Sequence, residues 1–274
     1  LNYVVGCLSA RVCATILAMY SPRAAGLPAL VVLLALTVAV PVGRAQRSAV
    51  EAEHGLVTSA HELASQAGLE MLQKGGNAVD AAVATGLALE VVYPFAGNLG
   101  GGGFMLIHLA DGRDVAVDYR ETAPAAASRD MYLGPDGNLL KGAGSSISGW
   151  RASGVPGSVA GFALALEKFG SGKISWSEAC EPARRLAADG HVVSQSTAAN
   201  LRAARNLPLF EESKKIYLNG GAFWKAGELW KQPDLGATLA RLQKNGPREF
   251  YEGETARLIA AAMAANGGTI TLDD

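Results

Sequence analysis

From residue 59 onward, apolar residues fall at helical spacing. Leu63, Ala67, Leu69, Met71 and Leu72 make one stripe, and Ser59 with Glu62 heads it at the spacing of a capping box. Gly75 and Gly76 end it, because glycine reaches the left-handed conformation at little cost. Asn77 then caps a second helix, AVDAAVATGLALEVV, with Asp80 in the first turn, where the helix dipole favours an acid. That segment is apolar on most sides, which predicts burial, and Pro94 stops it. Beyond residue 103 the period drops to two. FMLIHLA and DVAVDYR, joined by Asp111-Gly112-Arg113, read as a β-hairpin. Val115, Val117 and Tyr119 share one face of its second strand, and Asp114, Asp118 and Arg120 the other.

After Pro124 an irregular stretch rich in Gly, Ser and Ala runs to about residue 155. Helical patterns return at 157–169, ended by Gly170, and from Ser175, boxed with Glu178, to Asp189-Gly190. Three more are expected near 195–205, 234–244 and 254–265. Thr271 to Asp274 has the character of a cap and the acidic first turn of another helix, so the sequence reads as the front portion of a longer protein.

The N-terminus has a different pattern. Residues 27–40, LPALVVLLALTVAV, are uncharged and apolar, preceded by Arg23 and followed by Gly43-Arg44-Ala45. A positive flank, a short apolar run and a small-x-small site describe a secretory signal peptide; a membrane span would need about 20 apolar residues. The expected division is a signal peptide over 1–45, cleaved after Ala45, and a mature chain over 46–274 beginning Gln46-Arg47-Ser48. Met19 stands where an initiator belongs, which would place residues 1–18, with Cys7 and Cys13, upstream of translation. Cys180 is then the single thiol. It sits in SWSEACEPARRLAADG, an amphipathic helical pattern, and reads as a buried, inert residue.

Composition adds exclusions. The 274 residues are 49% hydrophobic and 18% charged, with a net charge of −1, as in a globular protein with a sizeable core. The balance argues against a nucleic-acid partner, since Arg184-Arg185 and Lys214-Lys215 are too short to form basic patches. With neither CxxC nor histidines at ligand spacing, the sequence suggests no metal and no other cofactor.

Four consecutive glycines, Gly100, Gly101, Gly102 and Gly103, lie between the second helix and the hairpin. A phosphate loop would need GKS or GKT, and a dinucleotide fingerprint would need GxGxxG leaving a strand and opening a helix. Here a helix precedes the glycines and a strand leaves them, so no following helix N-terminus is available to hold a phosphate. What remains is close approach: the loop is expected to be structural, with another segment packed hard against it.

GGNAVDAAVATGLALEVVYPFAGNLGGGGFMLIH, followed by VDYRETAP, resembles the front of a gamma-glutamyltranspeptidase, also called glutathione hydrolase. The resemblance runs from about His54 to Asp274 and includes ASGVPGSVAGFALALEKFG, KQPDLGATLARL and NGPREFYEG in family order. It implies an α+β fold of the N-terminal-nucleophile hydrolase type, an αββα sandwich, of which this chain supplies only the helix-rich large-subunit part. In that family a precursor cuts itself before a threonine. The new N-terminal threonine attacks the gamma-glutamyl carbonyl, and water or the amine of an acceptor amino acid or peptide resolves the acyl-enzyme. Glutathione and other gamma-glutamyl compounds are the implied substrates, and a C-terminal small subunit from the same precursor is the implied partner. The nucleophile lies in that subunit, so the resemblance places no catalytic residue in this chain and implies that the chain alone is inactive.

One substrate contact carries over. Arg120 in DYRETAP matches the family arginine that holds the alpha-carboxylate of the gamma-glutamyl group. A guanidinium suits this task because its planar fork matches a carboxylate and stays charged. The plainer alternative is a surface ion pair with Asp118 or Glu121, worth about 0–1 kcal/mol. His54, His61, His108 and His191 are scattered, Ser59 and His61 are too close along the chain to act as a triad, and Asn98 reads as a loop-fixing residue. Two rival readings are a beta-lactam side-chain acylase of the same superfamily and a non-catalytic secreted binding module. The arginine motif argues against the first and the capping pattern at Thr271 against the second.

Overall fold

The structure, a computed structural model, describes residues 51–142 and 144–274. The expected signal peptide, Met19, Cys7 and Cys13 lie outside the described residues. Helices α1 (Glu62–Gln73) and α2 (Ala78–Val92) pack along one another, α4 (Trp176–Ala188) covers α2, and α7 (Pro233–Asn245) covers α4. Between α2 and α4 in the chain come the antiparallel hairpin β1 (Phe104–His108) and β2 (Asp114–Asp118), then α3 (Ser158–Phe169), which packs on both α2 and β2. Met71, Leu87, Val91, Phe162, Cys180 and Leu239 belong to the shared core.

Helix α2 is the centre of this stack. Asn77 caps it as expected, and Asp80 does more than meet the dipole: it closes a capping box by accepting from the Asn77 N–H at 2.7 Å. Ala81, Ala84, Gly86 and Ala88 keep its surface low, so neighbours approach closely. A Cβ on Gly86 would lie 2.6 Å from the Phe162 ring. Ser175 and Glu178 box α4 in the same way. Inside α4, Cys180 is fully buried, and burial pushes its thiol up to about 12, so it stays protonated and inert.

A smaller cluster gathers Val193, Ala198, Leu201 and Trp230. It is framed by β3 (His191–Val192) paired with β6 (Leu229–Trp230), and by α5 (Gln195–Ala203). Helix α6 (Glu211–Tyr217) and the two-residue strands β4 (Leu218–Asn219) and β5 (Ala222–Phe223) follow α5. The short α8 (Glu249–Glu252) and α9 (Glu254–Asn266) follow α7, and Gly267 at φ 71° ends α9.

Two expectations fail locally. His61, not Ser59, caps α1: its Nδ1 accepts from the Leu63 N–H at 3.3 Å, while Ser59 Oγ instead reaches the His61 carbonyl and Ser65 Oγ. The second is Leu69, which faces solvent; the buried stripe of α1 is Ala64, Ala67, Gly68 and Met71, with α2 so close at Gly68 that an added Cβ would collide with Thr85 Oγ1.

Candidate functional site

The glycine run leaves α2 through Tyr93 and enters β1, and none of its four glycines has positive φ. Left-handed backbone is therefore not the reason for them. Gly103 and Tyr119 extend the hairpin ladder by one pair, with Tyr119 N–H donating to the Gly103 carbonyl at 3.0 Å and Gly103 N–H to the Tyr119 carbonyl at 3.3 Å. Beside it, a Cβ on Gly102 would sit 2.5 Å from the Tyr119 carbonyl oxygen and 2.7 Å from the Glu121 nitrogen. From the other side, added Cβ atoms on Gly157 and Gly161 of the α3 entry would collide with the Tyr119 carbonyl and ring. Tyr119 is thus gripped by glycines from two segments, and its ring rests on Phe162 with centroids 5.5 Å apart.

This packing also answers the phosphate question structurally. The N-terminus of α3 meets the glycine run, and three of the donors there are occupied. Gly157 N–H and Ser158 N–H both donate to the Gly101 carbonyl, at 2.8 and 3.0 Å, and Ala160 N–H donates to Tyr251 Oη at 3.1 Å. Asn98 ties the turn together, its carbonyl accepting from Gly101 N–H at 3.0 Å and from Ser158 Oγ at 3.2 Å.

Arg120 emerges directly from that grip. Its N–H donates to Asp118 Oδ1 at 3.0 Å, which fixes the backbone at the end of β2. Its Nε lies 3.3 Å from Glu121 Oε2, with 67% of the arginine side chain exposed. Among the described residues, Glu121 is the carboxylate at ion-pair distance, so the plainer alternative of a surface pair is also present in the geometry. Such a pair is weak in water and leaves the end of the guanidinium fork available to a second carboxylate. Glu121 in turn lies over Gly102 and opposite Gly154, and an antiparallel bridge between Thr122 and Val155 closes this end of the segment.

A residue that sequence reasoning passed over sits below. Glu90, two residues before the end of α2, is buried, and Oε2 has no hydrogen-bond partner. Burial pushes its carboxyl well above the usual range. Burial first, and then the Glu90 charge, raise the Tyr119 phenol. The sequence signal was one acid in an otherwise apolar stretch, ALEVV.

The other candidates do not converge here. His108 pairs with Asp114 at 2.8 Å on the exposed face of the hairpin, and His54 lines a separate cleft of about 610 Å³ with Leu72 and Thr85. Burial lowers both His61, at the head of α1, and His191, on β3. Asp80 is consumed by the Asn77 and Ser171 N–H groups. No group of three or more metal-ligating His, Cys, Asp or Glu side chains occurs among the described residues. No helix among the described residues is long and apolar enough to cross a membrane.

Comparisons with known proteins bear on the same segment. The family profile described as Gamma-glutamyltranspeptidase matches residues 64–274. The glutathione hydrolase proenzyme of Escherichia coli is 46% identical over 82% of this chain, and the match covers 38% of that protein. The chain spans 38% to 43% of the length of the curated relatives from Escherichia coli and two Pseudomonas strains, so it corresponds to less than half of each. Among solved structures, the Helicobacter pylori gamma-glutamyltranspeptidase superposes with a TM-score of 0.79 at 43% identity, covering 83% of this chain and 64% of that one. A cephalosporin acylase from Bacillus halodurans superposes at 0.69 with 25% identity, covering 83% and 44%. The helix-rich body with its small sheets therefore has the fold of the large-subunit part of an N-terminal-nucleophile hydrolase, and the chain belongs to the gamma-glutamyltranspeptidase family.

Proposed function

We propose that the protein containing this chain hydrolyses and transfers gamma-glutamyl groups, and that Arg120 anchors the alpha-carboxylate of the donor. The observation that carries the reading is Arg120 itself. It is an exposed guanidinium on a backbone held rigid by the glycine grip, and of its three guanidinium nitrogens Nε alone is bonded to a neighbouring carboxylate. An arginine so placed orients a donor bearing a free carboxylate by bidentate pairing. Glutathione is the donor of choice, because the relatives are named glutathione hydrolases. Water or the amine of an amino acid or peptide takes the acyl group.

The threonine nucleophile belongs to a small subunit encoded outside these 274 residues, in keeping with a chain that spans under half of its relatives. The glycine run serves as packing, and export follows from a signal peptide over 1–45 cleaved after Ala45. The likeness to a cephalosporin acylase supports a second reading, in which the acyl group is a beta-lactam side chain. The higher identity and TM-score of the gamma-glutamyltranspeptidase structure favour the first.

Turnover of a chromogenic gamma-glutamyl anilide by the whole protein tests this. Arg120→Ala is expected to lower kcat/KM by about two to three orders of magnitude, the effect of stranding one partner of a desolvated charge pair. Lysine restores part of it, self-cleavage survives, and a donor without an alpha-carboxylate is handled equally by both enzymes. The 274 residues alone turn over none. Normal kinetics in mature Arg120→Ala enzyme would overturn the assignment.

A further inference from the structure

Three carboxylates are buried in the described core, and two are fully explained. Asp80 accepts N–H groups from Asn77 and Ser171. Glu249 accepts from Thr255 N–H at 3.0 Å and Thr255 Oγ1 at 2.7 Å, and Arg241 Nε lies 3.3 Å from it. Glu90 has none of this. It is 5% exposed, its Oε2 is orphaned, and no described hydrogen bond reaches either oxygen. An unpaired buried carboxyl is costly, and such groups concentrate where a ligand supplies the missing donor.

The carboxyl borders a cavity of about 220 Å³ beneath the glycine run. Glu90, Asn98, Tyr119, Glu121 and Ser158 give it oxygen atoms on several sides, and no cationic side chain lines it. The remaining wall is apolar, from Leu89, Ala96 and Phe162, with Tyr119 and Phe162 inclined at 58° to one another. Hard cations such as calcium need six or more oxygens around them, which a half-apolar wall does not offer. A primary ammonium needs three acceptors, and its carbon chain needs an apolar wall, with aromatic faces adding cation–π attraction. The volume holds several heavy atoms, since a water occupies about 30 Å³.

We infer that this cavity binds a small primary alkylammonium, with its head on the Glu90 carboxylate and its carbon chain against Phe162 and Leu89. The site is independent of the carboxylate role of Arg120 and stands or falls separately from it. Burial pushes the empty Glu90 carboxyl well above the usual carboxylate range, which favours its neutral form. The titratable groups lining the cavity with it are Tyr119 and Glu121, the latter paired with Arg120, while the lining residues of α3, Ser158 and Phe162, and residues 96–98 carry no charge. Binding a cation favours the ionised carboxyl, so it expels the Glu90 proton, and affinity rises with pH until the empty carboxyl itself ionises.

Calorimetric titration of the whole protein with n-propylammonium chloride, at fixed ionic strength from about pH 6 to about pH 8, tests this. Sodium and tetramethylammonium chloride serve as controls. The expected result is saturable binding of propylammonium alone, tighter at higher pH, with proton release seen as a dependence of the heat on buffer. Glu90→Gln, which keeps the shape but not the charge, should weaken it about 10- to 100-fold. Equal binding by Glu90→Gln, or none by the wild type, overturns the site. Should Glu90→Gln not melt cooperatively, the wild type decides alone: no proton release, or equal uptake of tetramethylammonium, overturns it.

Discussion

The molecule uses glycine in two regions for opposite physical reasons. In the irregular segment after β2, Gly137, Gly142 and Gly149 have φ of 76°, 72° and 94°, as does the hairpin glycine Gly112 at 86°. At Gly112, Gly137 and Gly142 an added Cβ would meet nothing within 4 Å. These glycines are present because the backbone is left-handed, and space is irrelevant. In the run at residues 100–103 the reverse holds: φ is never positive, but a Cβ on Gly102 would overlap the chain running past it. Identical residues thus encode a turn in one place and a contact in the other. The contact is the one that holds Tyr119, and through it the position of Arg120.

Gly102→Ala is the strongest way to break this distinction. The atoms in the way are the Tyr119 carbonyl and the Glu121 nitrogen, both backbone, so the strand must move rather than a flexible side chain. A loss of about 2–4 kcal/mol in urea-induced unfolding is expected. Surviving enzyme should show a raised KM for the gamma-glutamyl donor, because the displaced segment carries Arg120. A change below about 0.5 kcal/mol would mean that the loop is not held by crowding.

Much of this was legible beforehand, and the failures are instructive. The Asn77 cap and the Ser175–Glu178 capping box were readable because each is local chemistry between residues two or three apart. His61 displaced Ser59 as a cap because an imidazole nitrogen serves as an acceptor just as an oxygen does, a choice that periodicity does not reveal. Helix α6 escaped notice because EESKKIY has no apolar stripe; Glu211–Lys214 and Glu212–Lys215 pairs support it on the surface. Crowding at the glycine run was expected, but which glycine bears it depends on Tyr119, sixteen or more positions away in sequence. Arg120 came from resemblance alone, since its spacing by itself favoured a surface pair. Glu90 was visible as a lone acid in an apolar helix, yet its lack of a partner is a fact of three-dimensional packing.

At Gly112 the expected effect is smaller and of a different kind. Gly112→Ala forces an L-residue into φ 86° with open space around it, which costs about 1–2 kcal/mol. Asparagine tolerates this region better, so Gly112→Asn should recover part of the loss in the same unfolding measurement. At Gly102 the order should invert, with asparagine worse than alanine because only volume matters there. If asparagine rescues both positions, the two classes of glycine are one.

The smallest effect is expected inside the run itself. Gly100 has no positive φ, and its added Cβ would lie 3.6 Å from Asn98 Oδ1, an ordinary van der Waals contact. Nothing in the folded state resists a methyl there, while the unfolded chain loses freedom. Gly100→Ala should therefore leave stability unchanged or raise it by about 0.4–1 kcal/mol. Its donor KM should match the wild type, since Gly100 does not touch Tyr119. Comparing Gly100→Ala with Gly102→Ala by urea unfolding and donor kinetics separates the sequence motif from the physical contact. If both variants lose stability equally, the whole run is constrained by something other than the Tyr119 grip, and the contact argument fails at its source.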